Sequence, residues 1–391
     1  MPPMKNNKSK TKQGILLAFG EIFLKSPGVQ QELKNKIKQN IILLLKKEGV
    51  IFQIYFLRER IFIETKNVNK ALKILKNIFG IAWMSKILFL KNANLKNVND
   101  FIKKNYKKWI KNNQTFALYV KKSSEIQESR ENIINKIAEN IKRKVNLSKP
   151  NKKIFIEARK NGWFLYFKKQ KCLDGLPIGS QGKIISLISG GIDSPISSYL
   201  IAKRGAENIW LHFHSFPMVS KASIEKIKEL AKIFTNYQPR LKIYFIPFSE
   251  IQTKLKIKIP SKYLVLFYRK IMLKIAEMIA KKEQCQALVT GESLGQVSSQ
   301  TLLNINITQN NLKIPVLRPL IGMNKEEIID LAQKINTYNI SIKPQEDCCT
   351  LFVPKHQTAA GKIEHVNELE KNLKIKTLIS KALTKAEVIY F

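Results

Sequence analysis

Seven consecutive residues, Ser189-Gly190-Gly191-Ile192-Asp193-Ser194-Pro195, place two glycines, two hydroxyls and a carboxylate where an apolar run ends and a helical pattern begins. Glycines let a backbone turn tightly and bring its N–H groups close to a ligand. A helix N-terminus adds partial positive charge at the same place. Together they form a cradle for an anion such as a pyrophosphate, with Ser189, Gly190, Gly191 and Ser194 as its donors. Asp193 or Ser194 is expected to cap the helix, and Pro195 to occupy its first position. The G-x-x-x-x-G-K-[ST] spacing is missing, so this is not a Walker A loop. An acid among phosphates requires a cation, which makes Asp193 the expected Mg²⁺ ligand.

Other segments carry chemistry near the loop. Leu211-His212-Phe213-His214 closes a second apolar run, and His212 and Phe213 are expected to line a nucleotide. The two histidines alone are too few to hold a metal. Thr290-Gly291-Glu292-Ser293-Leu294-Gly295-Gln296 follows a third run; Gly291 permits close approach to a base or ribose, and Gln300 can read it. The cysteines are Cys172, Cys285, Cys348 and Cys349, in no C-x-x-C pattern. Cys348 and Cys349 follow Glu346-Asp347, acids that raise a thiol pKa unless a cation compensates.

The elements that must position these residues fall into three blocks, expected at 1–65 (with a basic tail over 1–12), 66–170 and 174–391. Strand and helix patterns mix in the first two, with strands at 15–19, 51–56, 60–65, 82–90 and 115–121. Helices are expected at 30–47, 68–79, 94–111 and 130–145, and a hairpin turns at Asn161-Gly162. Lys104, Lys107, Lys108 and Lys111 share one face of the 94–111 helix, while Ile102, Tyr106 and Trp109 share the other. After the Gly- and Pro-rich stretch 173–182, short continuous apolar strands (184–188, 209–213, 243–246, 287–290) alternate with helices (195–203, 222–234, 262–282). That alternation is the mark of a parallel α/β sheet.

Lys and Arg number 69 against 29 acids, a formal net charge of +40. Such an imbalance favours a polyanionic partner, nucleic acid first. No apolar run reaches the roughly 18 residues of a membrane span, so a cytoplasmic protein without membrane attachment is expected. The sequence does not set the oligomeric state, and a homodimer is one arrangement open to it.

The 189–195 loop resembles the SGGxDS signature of PP-loop ATP pyrophosphatases. Gly20-Glu21-Ile22 with Leu24-Lys25, the 211–215 segment LHFHS, TGESLGQVSSQ at 290–300, RPLIGM at 318–323 and EDCCTLFVPK at 346–355 are together similar to the tRNA 4-thiouridine synthetases, the ThiI family of tRNA sulfurtransferases. The resemblance implies a ferredoxin-like domain, a THUMP domain for tRNA and a PP-loop domain, in the order of the three blocks. It implies that Leu187, Ile188, His212, Phe213, Arg269, Gly291 and Gln300 contact ATP, that Asp193 serves activation, and that Cys348 is the catalytic cysteine. The implied reaction adenylates a tRNA uridine at O4 and replaces that oxygen with sulfur. The longest members carry a C-terminal rhodanese domain with a persulfide cysteine. The stretch after Pro354 is too short for one and holds no cysteine, so a separate persulfide donor, such as a cysteine desulfurase, is expected. The alternatives are another PP-loop tRNA thiolase or adenylating enzyme, and a tRNA-binding protein with a decayed site; the latter predicts loss of Asp193 or the glycines, and both are present.

Overall fold

The computed structural model describes residues 11–57, 59–344, 352, 357–371 and 373–391. Its contacts form two compact units. One comprises the residues up to Ser26 with Ile41–Gly175; the other comprises Pro27–Asn40 with Leu176–Phe391.

The first unit contains β1 (Thr11–Phe19), the last third of α1 (Pro27–Lys47), β2 (Gln53–Phe56), β3 (Arg60–Glu64), α2 (Val68–Leu75) and β4 (Ile81–Lys91). It continues through α3 (Leu95–Trp109), β5 (Phe116–Lys122), α4 (Arg130–Ala138), β6 (Lys152–Arg159), β7 (Gly162–Tyr166) and β8 (Gln170–Lys171). The helices expected over 68–79 and 130–145 stop early, at Leu75 and Ala138. In α3, Ile102 and Tyr106 are buried, while Lys104, Lys107 and Lys108, with Lys111 just beyond, are exposed. That is the two-faced helix its spacing predicts.

The two N-terminal blocks share one sheet, in the order β2-β3-β1-β4-β7-β6-β5, with β8 also on β4. Pairing is antiparallel except for β5 on β6. The seam at β4 and β7 is packed with aromatics: Phe89 lies 5.1 Å from Phe62 and 4.6 Å from Phe164, centroid to centroid. A buried polar network crosses the same seam. Glu157 Oε1 accepts from Arg60 Nε and Nη2, both at 3.2 Å, and from the Tyr166 hydroxyl at 3.0 Å; Oε2 accepts from Arg159 at 3.0 Å. Burial alone would raise the Glu157 carboxyl, but Arg60, Arg159 and the Tyr166 hydroxyl hold it below its ordinary value of 4.5.

The second unit contains β9 (Lys183–Leu187), α5 (Asp193–Lys203), β10 (Glu207–His214), α6 (Ala222–Phe234), β11 (Lys242–Pro247), α7 (Ser249–Lys258), α8 (Leu264–Lys282) and β12 (Ala287–Val289). There follow α9 (Leu302–Gln309), β13 (Val316–Leu317), α10 (Lys325–Lys334), α11 (Tyr338–Ser341), α12 (Ile363–Lys371), α13 (Ile375–Thr384) and β14 (Glu387–Tyr390). The sheet order is β13-β12-β9-β10-β11-β14, parallel except for β14 at the edge. The central strands are buried on both faces, as their unbroken apolar runs require. Helix α8 is buried along most of its length and carries the core of this unit. Among the described residues no helix is long and apolar enough to cross a membrane.

Replacing Glu157 with Gln leaves two guanidiniums without their carboxylate. A loss of about 3–5 kcal/mol is expected in urea unfolding of the full chain at neutral pH. A carboxyl held below 4.5 stabilises fully above that pH and loses its contribution as pH falls through the depressed value. The variant should therefore differ most from the native chain at neutral pH and converge with it in strong acid.

Candidate active site

In the second unit the chain runs outward from β9 to β10 and β11, then returns to place β12 on the other side of β9. The carboxyl ends of β9 and β12 thus flank a topological switch point, where open α/β sheets bind ligands. The 189–195 loop leaves β9 there, and Thr290–Gln296 leaves β12.

The loop is tied to itself. Ser189 N–H donates to Ser194 Oγ at 3.0 Å, and Gly191 N–H donates to Ser189 Oγ at 3.3 Å. Gly190 has φ +83°, which favours glycine. The capping expectation is corrected here. Helix α5 begins at Asp193 with Ile192 before it, so Pro195 is its third residue. The N-cap supplies no side-chain bond, and Ser194 turns its hydroxyl back into the loop. The helix end is left open towards an anion. Gly291 allows the second loop to close on it, since a Cβ there would lie 2.8 Å from Ser194 N and 2.9 Å from Ser194 Cα.

Between these loops lies a cavity of about 280 Å³. Its walls include Leu187, Ile188, Ser189, Asp193, Ser194, Phe213, Arg269, Gly291 and Gln300, nine of the residues expected from sequence to bind the nucleotide. Gly190 and Gly191 shape the loop from outside that lining. His212 also stands behind the wall: its Nδ1 lies 2.7 Å from the Ile188 carbonyl and its Nε2 3.2 Å from Ser223 Oγ. A carbonyl only accepts, so Nδ1 carries the proton and Nε2 accepts from Ser223. Burial holds this imidazole down at about 4, hence neutral at physiological pH. Cys348 and Cys349 lie outside the described residues. Burial pushes the thiols of Cys172 and Cys285 up to about 12 and about 11, away from thiolate chemistry.

The geometry adds residues that the sequence did not single out. Glu292 is 3% exposed and sits between two guanidiniums. Arg269 Nη2 bonds Oε1; Arg318 Nε lies 2.5 Å from Oε2, which also accepts from Thr290 Oγ1 at 2.8 Å. Burial would raise this carboxyl, but the two arginines and Thr290 hold it below the ordinary carboxylate range. Arg269 also donates to Ser299 Oγ at 2.7 Å, so both bonds aim it into the cavity. Asp193 is also held: Lys325 Nζ is 2.5 Å from Oδ1, and Gln296 Nε2 donates to Oδ2 at 3.0 Å. Lys325 opens α10 behind an Asn324–Glu327 capping box. The signal for Lys325 was its position, because a cation in the first turn opposes the helix dipole.

Among the described residues no group of three or more His, Cys, Asp or Glu could hold a metal. One carboxylate at a phosphate cradle fits Mg²⁺ of the kind whose remaining ligands are phosphate oxygens and water.

A parallel sheet, a glycine loop at its switch point and an arginine-lined wall define a nucleotide-binding α/β domain of the PP-loop class. Family models agree: that of the thiamine biosynthesis protein ThiI matches residues 179–375, the ThiI ferredoxin-like domain 14–85 and the THUMP domain 92–168. The chain is 37% identical to a probable tRNA sulfurtransferase of Acetivibrio thermocellus, covering 97% of this chain and 98% of that one. A probable tRNA sulfurtransferase of Thermus thermophilus is 48% identical over 56% of this chain and 53% of its own length. Among solved structures, a 4-thiouridine synthetase crystallised with RNA and bound ATP superposes with a TM-score of 0.87 at 29% identity, covering 97% of this chain and all of that one. A Pyrococcus horikoshii protein shares the fold at a TM-score of 0.65 and 20% identity. The chain belongs to the ThiI family of tRNA sulfurtransferases.

Gly291→Ala puts a methyl group against the backbone of α5. A loss of about 1–3 kcal/mol is expected from such overpacking, read as a lower urea midpoint. An unchanged midpoint would show that the two loops do not close on each other.

Proposed function

We propose that this chain is an ATP-dependent tRNA sulfurtransferase that converts a tRNA uridine to 4-thiouridine. One observation carries the proposal. The expected nucleotide residues surround one cavity at the switch point, in a chain similar over nearly its whole length to a 4-thiouridine synthetase crystallised with RNA and ATP. On this reading residues 1–65 and 66–170 are ferredoxin-like and THUMP domains that hold the tRNA, and 174–391 performs the chemistry.

ATP would lie along Leu187, Ile188, Phe213, Gly291 and Gln300, with His212 bracing Ile188 from behind. The phosphates would rest on Ser189–Ser194 and Arg269, whose position Glu292 sets. Asp193 would hold Mg²⁺, which, when bound, neutralises phosphate charge. Uracil O4 attacks the α-phosphorus, the bond to the bridging oxygen breaks, and pyrophosphate leaves. The adenylated O4 is now a good leaving group. The terminal sulfur of a donor persulfide attacks C4, and AMP departs with O4, leaving base and donor joined through a disulfide. The Cys348 thiolate attacks the donor sulfur and 4-thiouracil is released, taking up a proton. Two external thiols, or one dithiol, then reduce the Cys348–donor disulfide and are themselves oxidised to a disulfide. The persulfide donor would be of the cysteine desulfurase type.

Two features of the first unit support tRNA binding there. One is the exposed lysine face of α3. The other is a hollow of about 800 Å³ in which Lys91, Lys121, Lys122 and Lys160 stand beside the half-exposed rings of Tyr55 and Phe56. Lys12 and Arg159 are paired with Glu64 and Glu157 of the same lining, which also holds Glu59 and Glu125. Phosphates suit the cations, and unstacked bases suit the rings.

The native chain with tRNA, ATP, Mg²⁺ and a persulfide donor should give the near-ultraviolet absorbance of 4-thiouridine. Asp193→Ala should reduce it about 100-fold. Cys348→Ala should block thiolation and leave tRNA affinity intact. No product from the native chain would sink the proposal. Changing Lys104, Lys107, Lys108 and Lys111 to Gln should weaken tRNA binding about tenfold or more and flatten its dependence on salt; an unaltered salt slope would move the tRNA off this helix.

A further inference from the structure

Where β10 ends, the chain turns apolar side chains outward. Phe216 and Met218 are 39% and 49% exposed, in a loop that begins at the buried Ser215. The loop is held firmly. Ser215 Oγ donates to Oε1 of Gln252 in α7 at 2.6 Å, and both residues are fully buried. The Ser215 carbonyl accepts from Met218 N–H at 2.7 Å, and the His214 carbonyl accepts from Phe248 N–H at 2.8 Å. The Thr253 hydroxyl of α7 reaches the Met218 sulfur at 4.0 Å. Lys221 closes the loop, its Nζ 4.8 Å from the centre of the Phe216 ring.

The place of this loop in the fold sets it apart. Strands β9 and β10 run parallel, with Leu187 beside Leu211. The 215–221 loop therefore leaves the same carboxyl edge as the 189–195 loop. Phe213 lines the nucleotide cavity. Three residues of chain span at most about 11 Å, so the Phe216 backbone lies within that distance of Phe213. The surroundings are basic. From His214 to Lys221 the chain holds no acid. Helix α7, on which the loop leans, exposes Lys254 and Lys256, and its one acid, Glu250, already faces Lys381 and Lys385. An apolar protein surface docked here would strip water from these cations without pairing them. A nucleotide brings a flat ring for Phe216 and a phosphate for Lys221.

We propose that this loop receives the tRNA uridine to be activated. The base packs against Phe216 and Met218, and its phosphate meets Lys221, beside the cavity that takes ATP. The inference rests on the reaction proposed above and adds the acceptor side of the site. Ser215 and Gln252 fix the loop before the base arrives, so little freedom is lost on binding. The stack offsets part of the cost of taking the uridine out of its own helix.

The test uses the full chain, with tRNA-dependent pyrophosphate release and thiolation followed separately. Removing one base–aromatic stack costs about tenfold or more. Phe216→Ala should lower kcat/KM for tRNA in pyrophosphate release by that factor, and thiolation with it. ATP affinity should hold, and tRNA affinity, which rests on phosphate contacts elsewhere, should change by less than about threefold. Phe216→Tyr keeps the ring and should restore most of the rate. Lys221→Gln should weaken the same step and lessen its dependence on salt; at an exposed position, it carries the test if Phe216→Ala does not fold. A Phe216→Ala chain with the native rate, or one that Phe216→Tyr does not improve on, would overturn the inference. So would thiolation lost while pyrophosphate release is kept, which assigns the loop to the sulfur donor. A native chain that forms no 4-thiouridine sinks the proposed function instead. A native chain that forms it beside an unimpaired Phe216→Ala overturns this inference alone.

Discussion

A carboxylate taken out of water must be compensated or it will not stay charged, and in the second unit Glu292 meets that demand. Arg269 from α8, Arg318 from beyond β13 and Thr290 from the end of β12 converge on it. Each comes from a different element, so one buried charge fixes the relative placement of the central helix and two strand ends. The consequence is functional. Arg269 is the one residue of Leu264–Leu273 that is only half-buried; the others are buried. Glu292 and Ser299 hold its guanidinium at the cavity wall without neutralising all its donors. An arginine held this way loses little freedom when an anion arrives.

Asp193 follows a related logic. It stands at a helix N-terminus among backbone amides, where a carboxylate is stabilised. On the proposed reading it also stands where phosphates would come, where it is a liability. Lys325 meets that conflict in the described structure. On the proposed reading Mg²⁺ would take over that part, and a surplus of cations over acids favours a polyanionic partner.

Much of this was legible in the residues. The strands of the second unit are short unbroken apolar runs, and a run buried on both faces leaves little choice but a parallel sheet. The glycine loop advertised itself because glycines, hydroxyls and an acid rarely crowd together without a ligand. What was not legible depended on direction rather than type. The strand could place His212 beside the loop, but only packing turns its imidazole to Ile188 and Ser223. Ser194 could as well have capped α5 as tied the loop. Lys325 is one cation among 69; its place in the first turn of α10 sets it apart, but a contact across 132 positions of chain leaves no local sign of its partner. The ends of α2 and α4 were overestimated because apolar spacing continues past the last helical turn.

The shared sheet of the first unit has an effect on how this chain can change. Strand β4 pairs with β1 from Ile81 to Leu90 and with β7 from Leu88 to Lys91. Inserting or deleting one residue in β4 would swap its inward and outward side chains against both neighbours at once. The turns around it can take an inserted residue more easily than the strand itself. A replacement for either module would have to arrive in the same register.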